Sequence, residues 1–172
     1  MEEGWVSPNY SLVDVVEYEM KLQKRRCIED FCINVFKDYW NNGTTPISRA
    51  CHQLIDEGRL CSITETISTS ITLDSFESTF QAMGSELFAN GIVKEEYVIS
   101  LLAFSIKLDT YLHNYMWYSS LLLITALVKT LEEACFDPLS FKWNQIEDTI
   151  NVIITSFIVI VPCLLFSFFL FK

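Results

Sequence analysis

Cys51 and His52 stand side by side, and they are the nearest the chain comes to a thiol nucleophile with its base. Such a pair needs an imidazole nitrogen within hydrogen-bond reach of the sulfur. Adjacent residues on a helix point about 100° apart and do not face one another. The spacing therefore predicts a packed Cys51 and an exposed His52. Glu95-Glu96 and Glu132-Glu133 are adjacent carboxylates of the kind general acid–base work requires, but neighbouring acids on a helix are more often a solvated face. Asp137, preceding Pro138, reads as a turn residue. No G-x-S-x-G elbow places a serine on a strained turn. Cysteines at 27, 32, 51, 61, 135 and 163 form no C-x-x-C pair, and histidines at 52 and 113 are too distant for a local metal motif. Five glycines make no phosphate-cradling loop. These residues indicate no enzyme, and they call for no metal or cofactor.

The elements that carry these residues belong to a chain of one-domain length, 172 residues. Hydrophobic residues make up 51%, too apolar for a disordered polypeptide. A formal charge of -10 opposes nucleic-acid binding, which needs basic surface to displace counterions from phosphates. The loudest feature is Val152 to Phe171, VIITSFIVIVPCLLFSFFLF, which carries no charge and is followed by Lys172. At about 1.5 Å per residue this run spans roughly 30 Å, the thickness of a bilayer's hydrocarbon core. Pro162 is tolerated in a membrane helix, where it would break a soluble one. The opening residues, MEEGWVSPNY, carry no signal peptide. A tail-anchored cytosolic domain is expected, with the sequons at Asn9 and Asn42 silent, the cysteines reduced, and Cys163 within lipid.

Ahead of the tail, helical spacing recurs and strand alternation is rare. Leu12 to Gln23 is a weak candidate helix, followed by the basic run Lys24-Arg25-Arg26. Ile28, Phe31, Cys32, Val35, Phe36 and Tyr39 trace one face, closed by Asn41-Asn42-Gly43 and Pro46. Ile47, Cys51, Leu54 and Ile55, with Leu60 as a candidate continuation, trace a shorter face. Leu73, Phe76, Phe80, Met83 and Leu87 form an amphipathic stripe, stopped at Asn90-Gly91. Tyr97 to Leu112 and Trp117 to Leu131 are apolar on most sides, which predicts two helices buried nearly all round. Neither has the 20 uninterrupted apolar residues of a membrane span. A short helix near Phe141 to Thr149 should lead into the tail.

The segment Phe80 to Ser105, FQAMGSELFANGIVKEEYVISLLAFS, resembles the first homology region of the Bcl-2 family. Glu86-Leu87-Phe88-Ala89-Asn90-Gly91-Ile92 matches its opening; Val98-Ile99 and Ala103-Phe104 match its close. Ser48 to Leu60 sits where the third homology region lies, Phe36-Lys37-Asp38-Tyr39-Trp40 is similar to the first helix, and Trp143 falls near the second region without its Gly-Gly-Trp core. The short loop from Asn41 to Pro46 is similar to compact viral members. The chain departs from the family where Asn-Trp-Gly-Arg is expected: here stands Lys94-Glu95-Glu96-Tyr97, so the arginine that pairs with a partner's aspartate is missing. The third-region signature keeps only Asp56.

The resemblance implies an all-α fold, a Bcl-2-like helical bundle around a central apolar helix with a C-terminal transmembrane anchor. Residues 1–27 would be an N-terminal segment, 28–150 the bundle, and 151–172 the tail. It implies a regulator of apoptosis, inhibitory in sign, that grips an amphipathic helix of a pro-apoptotic relative in a hydrophobic trough. Carried over residue by residue, that trough is Phe80, Met83, Leu87, Lys94, Glu96, Tyr97, Val98, Leu101 and Phe104. Leu101 and Phe104 serve core and groove equally well, whereas Glu96 and Tyr97 suit the rim. The mitochondrial outer membrane is the implied location, with the endoplasmic reticulum as alternative. Two competing readings are a death-promoting, membrane-permeabilising member and a tail-anchored adaptor or trafficking protein unrelated to apoptosis. Deleting Val152 to Lys172 should leave a diffuse cytosolic protein, because about 20 apolar residues are what hold it to lipid. Cell fractionation checks this, and a truncated chain still pelleting with membranes at high salt would contradict it.

Overall fold

A computed structural model describes residues 12–56, 75–115 and 120–141. The described residues hold five helices and no strand, so the protein is all-α. The expected tail and the helix near 141–149 lie outside the described residues, apart from Phe141 itself, as do Leu60 and Leu73. No helix among the described residues is long and apolar enough to cross a membrane.

Helix α1 runs unbroken from Leu12 to Trp40, joining the two stretches that periodicity separates. Lys24, Arg25 and Arg26 are good helix formers, and nothing between Gln23 and Ile28 interrupts them. Only its second half enters the core, through Ile28, Cys32, Val35 and Phe36 at helical spacing. The exit is a tight corner. Asn42 takes a positive φ of 53°, and the Gly43 N–H donates to the Asp38 carbonyl at 2.7 Å. A Cβ on Gly43 would collide with the Asp38 carboxylate. That carboxylate instead accepts the Thr45 hydroxyl proton at 2.5 Å. The same hydroxyl accepts from the Ser48 N–H at 3.3 Å, which caps α2, Pro46–Asp56, with Pro46 at its first position.

Helix α2 turns Ile47, Ala50, Cys51, Leu54 and Ile55 inward against α1 and the later helix Glu95–Tyr115. Cys51 is packed as expected, but His52 is not exposed. It is half-buried, with its ring stacked on Tyr39 at 4.0 Å and 19° between planes. The pairing joins residues 13 apart, so local spacing carries no trace of it.

Helix α3, Phe76–Leu87, buries Phe80, Met83 and Leu87, as its stripe predicts. Helix α4, Glu95–Tyr115, is covered on every side: all nine residues from Val98 to Ile106 are buried. Helix α5, Ser120–Glu133, forms from the apolar run that begins at Trp117, of which 117–119 lie outside the described residues, and packs against α1, α3 and α4. It ends in a Schellman turn: Phe136 N–H reaches the Leu131 carbonyl and Cys135 N–H that of Glu132, both at 3.0 Å, with Cys135 at φ 59°. Phe136 then sits between Phe31 and Phe141, ring centroids 5.3 and 4.8 Å away, tying the end of α5 back to α1.

The α3–α5 contact depends on one glycine. A Cβ at Gly84 would overlap the Thr130 methyl group, and Thr130 cannot turn aside: it is buried, β-branched, and its hydroxyl donates to the Ala126 carbonyl at 3.0 Å. Gly84→Ala should therefore destabilise the fold by about 1–3 kcal/mol despite better helix propensity. A urea melt checks this, and Gly84→Ala combined with Thr130→Ser should recover most of the loss.

Candidate functional site

The corner between α3 and α4 holds the polar half of the expected trough. Phe88 N–H closes α3 on the Gly84 carbonyl at 2.9 Å, and Gly91, at φ 68°, returns its N–H to the Phe88 carbonyl at 2.8 Å. Only a residue without a Cβ adopts that backbone at little cost. The chain enters α4 at Lys94, whose carbonyl accepts from the N–H groups of Tyr97 and Val98 at 3.1 and 3.3 Å. Glu95 and Glu96 occupy the first turn, where the helix dipole favours negative charge.

Lys94 is not left pointing into open solvent. Its Nζ lies 4.0 Å from Glu96 Oε1 and 5.6 Å from the centre of the Tyr97 ring. Tyr97 meets Phe88 edge-on, centroids 6.5 Å apart. Lys94, Glu96 and Tyr97 thus form one surface cluster over the buried Phe88 ring, and Glu96 and Tyr97 are both half-buried within it.

The apolar half of the set lies inside. Phe80, Val98, Leu101 and Phe104 have no exposed surface, and Met83 and Leu87 are 4% and 6% exposed. Phe80 and Phe104 touch across the core with ring centroids 6.1 Å apart. The structure therefore brings the nine residues into one neighbourhood but divides them, six in the core and three on the surface above it. An open recess of about 320 Å³ lies next to this cluster, between α3 and the end of α5, with Gly84 and Thr130 among its lining and Phe88, Ser85 and Glu133 around them. No spacing signal marks it, because Gly84 and Thr130 meet only through the fold.

Two thiols, those of Cys32 and Cys51, are buried in the core. Cys51 is fully buried, and burial pushes its thiol up to about 12. Burial, with Glu29 nearby, raises Cys32 as well. Neither is a thiolate near neutral pH.

Asp109 is the unexpected acid. It sits on α4 at 3% exposure, and its Oδ1 is buried with no hydrogen-bond partner. Burial raises its carboxyl above the ordinary value of 3.8, while a hydrogen bond from Ser120 and the charge of His113 oppose the rise. His113, one turn on, brings Nδ1 within 3.6 Å of that oxygen and 3.2 Å of the Asp109 carbonyl. Trp40, Thr110, His113 and Ser120 line a recess of about 410 Å³ with it. Within the long apolar run Tyr97 to Leu112, Asp109 reads as one of a few polar interruptions, and its burial follows only from the packing of other helices, with Trp40 of α1 and Ser120 of α5 beside it.

No family model, curated protein or solved structure matches this chain.

Folding makes the Asp109 carboxyl harder to ionise, so the folded chain keeps that proton to a higher pH than the unfolded chain does. From 3.8 up to the raised value, the folded state binds the extra proton, and stability falls as pH rises through that window. Asp109→Asn, which keeps a group able to accept from Ser120, should raise stability at pH 7 by roughly 1 kcal/mol and flatten the dependence on pH above 4. Thermal melts across pH 4 to 8 measure this. A variant weaker than the native chain at pH 7 would show that the charge facing His113 is needed.

Proposed function

We propose that the chain regulates apoptosis at an intracellular membrane by binding an amphipathic helix of pro-apoptotic Bcl-2 relatives, and that its helices form a bundle of the Bcl-2 type around α4. The observation that carries this reading is the placement of the Glu86–Ile92 stretch, whose sequence resembles the opening of the first homology region. It forms the corner that leads into a helix buried on every side. A trough for an apolar helix would form where α3 separates from α4, uncovering Phe80, Leu101 and Phe104 above the Lys94–Glu96–Tyr97 rim. Helix-in-groove binding of this kind draws its affinity from apolar anchors and its register from a charge pair. The run Val152 to Phe171 supports membrane attachment by its length and lack of charge. The mitochondrial outer membrane is the proposed site, by family resemblance, and the inhibitory sign is proposed on the same ground.

The rim makes a specific claim about partners. A pro-apoptotic helix that carries an Asp for an arginine meets Glu96 and Tyr97 instead, and the adjacent cation, Lys94, already faces both. A charge-assisted hydrogen bond to arginine contributes roughly 1.5–3 kcal/mol, which this rim forgoes. Partner choice should be narrow, and changing the partner's Asp to Ala should weaken binding little. Glu96→Gly with Tyr97→Arg should tighten binding about tenfold, or about 1.4 kcal/mol. Titration calorimetry of the full chain in mild detergent against a panel of such peptides tests this, with circular dichroism to show that the variant keeps its helices. No heat with any peptide at about 100 μM would overturn the reading. If the native chain already depends on the partner's Asp, the trough lies elsewhere.

A further inference from the structure

The first half of α1 is a helical arm with few of the described residues against it. Leu12, Val13, Val15, Val16, Tyr18 and Met20 are all exposed, between 47% and 81%. A helix of about 15 residues is marginal in water by itself. This one continues a helix that is anchored in the bundle from Ile28 onward, so its nucleation is already provided. Its apolar side chains are left largely uncovered by the described residues.

Their order points to the cover. Val13, Val16, Met20, Gln23 and Cys27 follow at steps of three and four, the spacing of a coiled-coil seam. One flank of that seam carries Glu17 and Lys24, seven residues apart. The other carries Glu19 and Arg26, also seven apart. The arm is thus acidic toward its tip and basic toward its base, on both flanks. All four of these side chains are exposed. Arg25, which turns away from the seam to meet Glu132 at 3.7 Å, is left out of the pattern.

We propose that this arm pairs antiparallel with the arm of a second copy of the chain. In the register that sets Met20 against the partner's Gln23 and Val16 against the partner's Cys27, Glu17 faces the partner's Lys24 and Glu19 faces the partner's Arg26. Twofold symmetry repeats each contact, which gives four opposite-charge pairs and no like-charge pair. Parallel pairing is poorer: it sets Glu17 beside the partner's Leu12 and keeps only the Glu19–Lys24 pair. The base of the arm is shaped for the incoming end. Met20, Gln23, Lys24 and Cys27 line a recess of about 400 Å³ together with Asp137, Pro138 and Leu139. Leu139, 86% exposed, stands beside it, where the partner's Val16 arrives over Cys27. The pairing is independent of any role in cell death.

Sedimentation of the full chain in density-matched mild detergent, from about 1 to 100 μM, should give the mass of two copies. Val16→Asp with Met20→Asp should give one copy with unchanged helical content, because both side chains are solvent-exposed. Glu17→Lys with Glu19→Lys should also give one copy, as should Lys24→Glu with Arg26→Glu. An equimolar mixture of those two charge variants should return to two copies, one of each. A native chain of one copy at every concentration overturns the proposal, as does a two-copy mass that survives either charge variant. Failure of the mixture to pair overturns it too. A one-copy chain in vesicles with a nitroxide at position 16 immersed in lipid would assign the arm to the bilayer surface instead.

Discussion

Everything in this structure answers to the burial of α4, which no face of the helix escapes. A stretch such as Val98–Ile106 keeps its backbone satisfied within the helix, but it cannot carry side-chain polarity without an internal partner. Ser105 shows the consequence: its hydroxyl donates to the Leu101 carbonyl at 2.6 Å, one turn back. The remaining helices are arranged to keep water from this stretch. α2 and α5 pack directly on it, and α1 closes over both of them. Phe80 of α3 reaches in to Phe104.

Covering one helix on all sides requires its neighbours to turn sharply, and the corners show how. Asp38 organises the first, holding the Thr45 hydroxyl that caps α2, at a place where Gly43 alone fits. Cys135 organises the last in a left-handed conformation that costs an L-residue about 1–2 kcal/mol. That cost is offset by what the turn achieves, the delivery of Phe136 between Phe31 and Phe141. Gly84 serves the same end without a turn, by letting α3 approach Thr130 of α5 closely enough to seal the core.

Two features sit awkwardly with a design built only for stability, and both lie at the ends of α4. At its start, a lysine, a glutamate and a tyrosine satisfy one another above the aromatic ring of Phe88. Toward its end, Asp109 keeps a carboxylate oxygen buried without a hydrogen bond, at a place where an amide or an apolar group would cost less. Unsatisfied buried groups in folded proteins call for a reason beyond packing. The cluster at the start of α4 lies where the proposed partner helix would dock; the acid stands apart from it.

What the sequence determined by itself was the class of each segment. Steps of three and four at Phe80, Met83 and Leu87 make a one-faced helix wherever that helix is placed, and a stretch apolar on most sides from Val98 to Leu112 has few orientations in which it could face water. Asn41-Asn42-Gly43 and Asn90-Gly91 stop helices because few other residues accept a positive φ. The fate of individual side chains was decided by tertiary structure. His52, exposed by its local spacing, is half-buried because Tyr39 of a different helix offers a ring to stack on. Lys24-Arg25-Arg26, legible as a break, is the middle of a single helix, since charge alone does not interrupt backbone hydrogen bonding. The nine trough residues are near neighbours along the chain, yet only the packing of the other helices around α4 separates the six that became core from the three left at the surface. Periodicity reports which face of a helix avoids water, a property of one element. Whether that face meets protein, a partner or nothing is a property of the other elements, and no local pattern encodes it.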